Sequence, residues 1–248
     1  MDSRKIKRAL QEGNLKYRIV TEILKLFGYS NRNIAGLEIK NKVYQYLERN
    51  YGRKIGDFLY EKAEEYDASG DKYIWICWFQ GMENAPELVK RCYASVKRNM
   101  PDKEIIVITK ENMDHYVDFP DHILKKWKRG LITDTKMSDF LRMELLIRYG
   151  GLWMDSTIFL SGPIPNWVYE KDIFMYAIDD SEDITRVYNN YFIYSKRDYP
   201  ILKTLRDINY YYWETLKKIT PIHKLSNKYL IPKDYSQTYY EMFKEGKL

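Results

Sequence analysis

One stretch of the chain, Thr133–Leu160, constrains the fold more than any other. It contains an apolar segment with helical spacing, then Gly150-Gly151, then a short run rich in β-forming residues. The spacing predicts a helix that begins at Thr133 or Asp134, because either side chain can accept an unpaired backbone N–H. Glycine ends helices readily, since it adopts the left-handed conformation. The stretch therefore predicts a helix, a glycine turn and a buried strand over Leu152–Leu160.

Charged residues occur within this apolar stretch. Asp139 and Arg142 lie three residues apart and so share one face of the predicted helix. Asp155 falls inside the predicted strand, where a carboxylate is costly unless it meets a cation or several donors. Thr157 follows by the two-residue strand period, so it points to the same side. Two alternatives stay open: a surface ion pair worth under about 1 kcal/mol, and a strand-end turn at Asp155.

The pattern Ser138-Asp139-x-x-Arg142, followed by Tyr149–Thr157 with its paired glycines, resembles the sugar-nucleotide site of glycosyltransferase family 32 and the neighbouring capsular polysaccharide synthesis proteins. The glucosyltransferase domain of large clostridial toxins is similar in the same place. The resemblance implies that Ser138, Asp139 and Arg142 bind the ribose and sugar hydroxyls of a nucleotide-sugar donor. It also places Gly151 among the donor-binding residues.

The resemblance further implies a divalent metal, Mn²⁺ or Mg²⁺, on the donor diphosphate. The metal-binding Asp-x-Asp motif of these families corresponds here to Asp155-Ser156-Thr157. The implied metal ligands are therefore Asp155 and Thr157, joined by His223 near the C-terminus. A hydroxyl is a poorer metal ligand than a carboxylate, so Thr157 weakens the expectation of tight metal binding.

Two compact apolar runs, Lys72–Phe79 and Glu104–Thr109, flank a predicted helix from about Pro86 to Asn99. Strand, helix and strand in this order predict a parallel pair with a right-handed crossover. Ligands of such sheets bind beyond the carboxyl ends of the strands. The first run also resembles the first strand of these transferases, which implies that Trp78 stacks on the nucleotide base. A core tryptophan is the alternative.

Further strands are predicted near Ile173–Ala177 and Val187–Tyr194, before a helix from about Tyr199 to Leu216. Related transferases have a polar residue near the second of these strands, under the reacting face of the sugar. Asn190 is therefore an expected catalytic residue, together with Asp155 and Arg142.

The C-terminal segment around His223 resembles the short His-Lys-Leu segment of capsular family members, which closes over the diphosphate. That likeness implies donor contacts from Lys224 and Ser226. His115 and His122 are interpreted as ordinary loop residues, and the basic cluster from Lys125 to Arg129 as a solvated helix face.

The predicted fold class is α/β: a GT-A, Rossmann-like nucleotide-sugar-binding fold with an N-terminal helical extension. Residues 1–70 are predicted as the helical segment, including a helix from about Ile55 to Tyr66, and residues 71–248 as the GT-A domain. The 248 residues are enough for one sizeable α/β core.

Composition limits the remaining classes. The only cysteines, Cys77 and Cys92, make no disulfide framework, and no signal peptide or apolar span of about 20 residues is visible. These features favour a cytoplasmic protein. The excess of 41 basic over 35 acidic residues is modest and dispersed, so no nucleic-acid partner is expected. A basic cluster could contact an anionic membrane surface, although a solvated helix face is the alternative: Arg4, Lys5, Lys7 and Arg8.

The resemblance predicts a retaining hexosyltransferase with a UDP-linked donor. Its acceptor would be a glycan or a lipid-linked oligosaccharide in bacterial capsular or exopolysaccharide synthesis. The alternative is a non-catalytic nucleotide-sugar or carbohydrate-binding protein on the same fold, which the missing second aspartate favours slightly.

Overall fold

The computed structural model describes residues 45, 48–54, 56–61, 65–177 and 188–215. The chain divides into two compact units, and the larger one spans Phe58–Tyr176 and Asn189–Glu214. The sheet and the four helices below fall in this larger unit, apart from single residues at the ends of three elements. In the smaller unit, residues 48–54 are helical. The domain boundary predicted between residues 70 and 71 stays a prediction.

The larger unit is built on a five-stranded sheet with the strand order β2-β1-β3-β5-β4. Strand β1 pairs in parallel with β2 and β3, and β3 pairs antiparallel with β5. The strands are β1 Tyr73–Cys77, β2 Glu104–Ile108, β3 Gly151–Met154, β4 Ile173–Ala177 and β5 Tyr188–Ser195.

Four α-helices accompany the sheet: α1 Glu87–Asn99, α2 Asp121–Lys128, α3 Asp134–Tyr149 and α4 Pro200–Thr215. Short 3-10 turns occur at Gly56–Phe58, Ser69–Lys72, Met82–Asn84, Met113–His115 and Asn166–Val168. Within the described part of the chain, no helix combines the length and the apolar character that crossing a bilayer requires.

The strand order creates a topological switch point at β1. The chain leaves β1 for β2 on one side and later returns to β3 on the other. Trp75 is level with Trp153 in the β1–β3 pair, so the carboxyl ends of both strands reach the same edge of the sheet. The antiparallel β5 begins at this edge, where the Asp155 N–H donates to the Tyr191 carbonyl at 2.8 Å. Ligands of α/β sheets bind at such crevices, and we call this side the carboxyl edge.

Helix α3 is positioned by the signals that its sequence contains. The Thr133 hydroxyl accepts the Lys136 N–H at 3.2 Å and caps the first turn. Gly150 and Gly151 follow the helix with φ values of 70° and 98°. A Cβ atom on Gly151 would lie 2.7 Å from the Tyr73 carbonyl oxygen, so the close approach of β1 also requires glycine there. Most of α3 is buried, including its charged middle.

The predicted α/β class is confirmed, and the main elements lie where the sequence placed them. The predicted strand Leu152–Leu160 is wrong beyond Met154, because Asp155–Thr157 form a turn closed by the Ile158 N–H donating to the Asp155 carbonyl at 3.0 Å. Period-two alternation therefore does not relate Asp155 to Thr157.

Smaller corrections apply elsewhere. Strand β1 ends at Cys77, so Trp78 and Phe79 lie beyond it. The predicted helix from Ile55 is wrong in its described part, where Gly56–Phe58 form one 3-10 turn and residues 59–61 are irregular. His122 lies in α2 and not in a loop. Lys126 in the basic cluster is half-buried and donates to the Trp213 carbonyl. The helices predicted before residue 45 and the segment after residue 215 lie outside the described residues.

Candidate functional site

A buried arginine lies at the centre of the carboxyl edge. Arg142 comes from the middle of α3, and its side chain is only 6% exposed. Its Nη2 atom lies 3.0 Å from Asp139 Oδ1 and 3.5 Å from Asp155 Oδ1, while its Nη1 atom donates to the Asn190 carbonyl. One guanidinium thus joins α3, the turn after β3 and the start of β5. We call these four residues, Asp139, Arg142, Asp155 and Asn190, the arginine cluster.

The Asp139–Arg142 pair is not a surface ion pair, since both side chains are almost fully buried. The Asn190 side-chain amide donates to Asp139 Oδ1 at 3.3 Å. The guanidinium also lies 4.9 Å from the centroid of the Trp153 ring, a cation–π geometry. Buried charges require such partners, and the partners in this cluster come from α3, β3 and β5.

Asp155 connects the cluster to solvent. Its Oδ1 atom accepts from Trp153 Nε1 at 2.8 Å, and its side chain is 37% exposed. Asp139, by contrast, is turned inward. Asp155 therefore occupies a turn at the strand end and also meets a cation, which combines the two explanations that the sequence left open. It is the member of the cluster whose carboxylate can meet a ligand.

Two further side chains adjoin the cluster. Lys136, one turn before Asp139, is buried with its Nζ atom 3.4 Å from Asn209 Oδ1 and 5.1 Å from the Phe140 ring centroid. Burial lowers the pKa of Lys136 to about 8, although the Asp139 carboxylate opposes this shift. Burial raises the pKa of the Cys77 thiol to about 12, so Cys77 is protonated at neutral pH and is no nucleophile.

Trp78 lies directly after β1 at the same edge. It is half-buried, and its carbonyl accepts the Gly81 N–H at 3.0 Å. Its buried indole N–H has no hydrogen-bond partner within the described residues. An unsatisfied buried donor costs about 1–3 kcal/mol. A ligand acceptor atom would remove that cost; the base-stacking role of Trp78 stays a prediction.

The other predicted site residues are placed as follows. The Ser138 hydroxyl donates to the Thr135 carbonyl at 2.8 Å within α3. Thr157 is exposed in the turn after Asp155. Gly151 begins β3, at the end of the strand opposite to Asp155, so the structure does not bring it to the cluster. The remaining three lie outside the described residues: His223, Lys224 and Ser226.

The metal expectation can be tested against the residues around Asp155. Among the described residues, no three His, Cys, Asp or Glu side chains are grouped so that they could hold a metal ion. Asp155 offers one partly exposed carboxylate. That set fits an ion bound through one carboxylate and the phosphate oxygens of a ligand, as Mg²⁺ often is. The described residues by themselves do not complete a site built from protein ligands alone.

Sequence reasoning missed the contributions of Trp153 and Lys136. Trp153 lies two residues before Asp155, and its N–H reaches back to that carboxylate. Lys136 is a lysine in an apolar helix, three residues before Asp139. A lysine at that spacing from a buried aspartate is a signal that sequence reasoning could have used.

The fold and the site together define an α/β protein with a polar cluster at the carboxyl edge of its sheet. The family model described as "Capsular polysaccharide synthesis protein" matches residues 25–220. The chain belongs to the capsular polysaccharide synthesis protein family.

Two curated proteins are similar to this chain. The O-glycosyltransferase braB of Annulohypoxylon truncatum is 26% identical over 200 residues, which cover 72% of this chain and 45% of that protein. The O-glycosyltransferase PaGT of Phomopsis amygdali is 24% identical over 172 residues, covering 62% and 42%. The chain thus spans less than half the length of these relatives.

Among solved structures, the PaToxG glycosyltransferase aligns with a TM-score of 0.40 and 16% identity, covering 81% of this chain and 78% of that one. This similarity is too distant to define the fold.

Proposed function

We propose that this chain is a retaining glycosyltransferase that moves a hexose from a nucleotide sugar, UDP-linked, to a glycan acceptor. The observation that carries the proposal is the arginine cluster at the switch point of the sheet in a member of the capsular polysaccharide synthesis family. The curated relatives named O-glycosyltransferases support the same activity. A GT-A type for the α/β fold belongs to this proposal, supported by the parallel order β2-β1-β3.

In the proposed reaction, the acceptor hydroxyl attacks the anomeric carbon on the side from which the diphosphate departs. The new C–O bond forms as the sugar–phosphate bond breaks, and the hydroxyl proton passes to the leaving phosphate oxygen. Front-face displacement of this kind is implied by the family resemblance. It needs no protein nucleophile.

The residues of the cluster have distinct tasks in this proposal. Asp139 and Arg142 orient the sugar through charge-assisted hydrogen bonds, which are stronger than neutral ones. Both side chains face inward and are fixed by their mutual contact, so in this proposal the sugar enters beside the more exposed Asp155 and meets groups that are already oriented. Asn190 borders the reacting face, Trp78 meets the base, and Ser138 adds a hydroxyl beside the donor.

A divalent metal, Mn²⁺ or Mg²⁺, is proposed at Asp155 and would balance the charge that develops on the diphosphate. Thr157, and His223 if its segment closes over the site, would assist. The substitution Thr157→Asp adds a second carboxylate two residues from Asp155 and should tighten Mn²⁺ dependence. A metal titration unchanged by this substitution would place Thr157 outside the metal shell.

The biological setting is proposed from the family description and the sequence. Synthesis of a bacterial capsular or exopolysaccharide, at the cytoplasmic face of the membrane and on a lipid-linked acceptor, would suit the basic residues near the N-terminus: Arg4, Lys5, Lys7 and Arg8. The named curated relatives come from Annulohypoxylon and Phomopsis species. Salt-sensitive sedimentation with anionic vesicles, lost when these four residues become glutamine, tests the membrane contact.

A second candidate is a non-catalytic binder of nucleotide sugars. It is favoured by the engagement of Asp155 with Arg142 and Trp153 and by the single carboxylate of the motif. Hydrolysis of UDP-hexoses without acceptor, measured as UDP release with Mn²⁺, separates the two. We expect turnover that Asp155→Ala abolishes. Donor binding without any turnover in the wild type would favour the binder instead.

A further inference from the structure

A continuous set of aromatic rings lies beside the arginine cluster. Ring centroids are 5.2 Å apart between Trp167 and Phe174, 5.1 Å between Phe174 and Tyr176, and 6.4 Å between Tyr176 and Tyr191. The last two rings are nearly parallel, with an interplanar angle of 24°. We call these four residues the aromatic array.

Core packing explains only the inner side of the array. Phe174 and Tyr176 both contact the buried Phe192, at 6.0 and 5.2 Å between ring centroids. The outer rings face solvent: Trp167 is 48% exposed, Tyr176 46% and Tyr191 39%. Single exposed aromatic residues are common, but contiguous ones mark interaction surfaces.

The array is continuous with the arginine cluster through the backbone of β5. The Tyr191 carbonyl accepts the Asp155 N–H at 2.8 Å. Asn190, the preceding residue, contacts Arg142 and Asp139. One end of the array is therefore a single residue from the cluster. The other rings extend from there along β4 to Trp167.

Resting on the function proposed above, we propose that the aromatic array is the acceptor subsite and that its occupant is a hexopyranose unit of the acceptor glycan. A pyranose ring has a face of C–H groups that packs on aromatic rings and a rim of hydroxyls that needs hydrogen bonds. Tyrosine offers both an apolar ring and a polar tip. Two neutral groups contact Tyr191: Asn189 Nδ2 lies 3.5 Å from its hydroxyl, and Tyr176 stacks on its ring.

These neutral neighbours favour a sugar over an anionic lipid surface, which is recognised through lysine and arginine. The position of the array also suits an acceptor. The backbone of Tyr191 pairs with that of Asp155, so a sugar that packs on the Tyr191 ring and extends past this strand would approach the turn where the donor diphosphate is proposed to bind.

Saturation-transfer NMR on the full chain tests the array, with methyl α- and β-glycosides of glucose, galactose and mannose as probes. We expect signal from the ring protons of at least one glycoside, with about tenfold weaker binding in Tyr176→Ala and Trp167→Ala, equivalent to about 1.4 kcal/mol. Tyr176→Phe retains the ring and should bind within about twofold of wild type. Leu88→Ala, at a 63% exposed leucine of α1, is the matched control and should match the wild type.

A parallel thermal-shift titration uses UDP-glucose, UDP-galactose and their N-acetylated forms, with Mn²⁺. It tests the proposed transferase function separately from the assignment of the array as the acceptor subsite. The Ala variants should retain the donor-induced shift, which also shows that they are folded. The assignment of the array as the acceptor subsite is wrong if the donor stabilises the protein but no glycoside gives a signal. It is also wrong if the Ala variants give the same glycoside signal as the wild type.

A glycoside signal without donor stabilisation overturns the proposed function and, with it, the assignment of the array to an acceptor. The wild type could instead sediment with phosphatidylcholine vesicles and give no glycoside signal. If Trp167→Ala abolishes that sedimentation, the array binds a lipid surface, and its assignment to a sugar is wrong.

Discussion

Helix α3 contributes to two ionic clusters, and they differ in how far their carboxylates reach solvent. In the arginine cluster, Arg142 lies 3.0 Å from Asp139 and 3.5 Å from Asp155, and the side chain of Asp155 is 37% exposed. In a second group, the glutamate cluster, the Tyr210 hydroxyl donates to Glu144 at 2.8 Å and Arg206 donates to Asp207 at 2.7 Å. Glu144 is only 7% exposed.

This difference indicates that the glutamate cluster stabilises the fold, whereas the arginine cluster can bind a ligand. The glutamate cluster joins α3 to α4 through the 2.8 Å hydrogen bond from Tyr210 to Glu144, with Arg206 Nε 3.7 Å from the same carboxylate. Burial and the Glu144 carboxylate raise the pKa of Tyr210, so its hydroxyl remains a donor. The arginine cluster has a carboxylate that a ligand can reach. One helix can therefore be anchored on one side and present polar groups on another.

The largest expected effect is on activity and concerns Asp155. Asp155→Asn keeps the acceptor for Trp153 Nε1 but removes the charge that would meet a metal. We expect transfer to fall below detection, while the free energy of unfolding changes by about 1 kcal/mol or less, as for partly exposed pairs. Steady-state transfer assays and urea unfolding on the same preparation measure both. Wild-type-like activity would remove Asp155 from the site.

The glutamate cluster should show the opposite behaviour. Glu144→Ala leaves the Tyr210 hydroxyl without its buried acceptor and removes the carboxylate that lies 3.7 Å from Arg206, so we expect a loss of about 3 kcal/mol in the free energy of unfolding, typical of a broken buried pair. Glu87→Ala breaks an exposed pair with Arg91 in α1 and serves as the control, which should leave the free energy of unfolding nearly unchanged because water screens the pair. Equal destabilisation by both substitutions would remove the distinction between the clusters.

Much of this arrangement could be predicted from the sequence because its signals are local. The cap at Thr133, the paired glycines and the two apolar runs of the βαβ unit defined α3, β1 and β2. The strand was predicted through Leu160, with the turn at Asp155 only as an alternative, because Ile158–Leu160 continue the apolar run as a strand would. In the structure Ile158 and Leu160 pack against the core from a loop, and Phe159 between them is exposed.

The contacts within the site depended on distant residues. Asn190 meets Arg142 across 48 residues, and Glu144 meets Tyr210 across 66. No local spacing predicts such pairs; only the antiparallel return of β5 beside β3 and the packing of α4 on α3 bring them together.

A substitution at Trp78 tests whether the carboxyl edge binds the base of the donor. Stacking of a base on an aromatic ring is worth about 1–3 kcal/mol, and it acts equally on the ground and transition states. Trp78→Ala should therefore raise the donor KM more than it lowers kcat. Steady-state kinetics with varied donor measure the split. A loss confined to kcat would make Trp78 a packing residue whose removal distorts the carboxyl edge.

The smallest expected effect is a pH dependence from Lys136. Its pKa is near 8 in the folded protein and 10.5 in an unperturbed lysine, so between these values the unfolded state binds more protons. Stability contributed by this group therefore rises with pH across that window, and its burial cost is complete below about pH 8. The stability advantage of Lys136→Met over wild type should shrink from pH 7 to pH 9.5 in urea unfolding. Lys125→Met, at an exposed lysine, should show no such trend. An advantage of Lys136→Met that is constant with pH would mean that Lys136 keeps an ordinary pKa.

The central claim is that the arginine cluster binds a nucleotide sugar. Thermal-shift titration of UDP-hexoses with Mn²⁺, on wild type and on Asp139→Asn, tests it most directly, because the substitution preserves shape and removes one buried charge. A donor at 100 times its dissociation constant should stabilise the wild type by about 2.7 kcal/mol, and it should stabilise Asp139→Asn far less. Equal stabilisation of both proteins, or of neither by any UDP-hexose, would contradict the assignment.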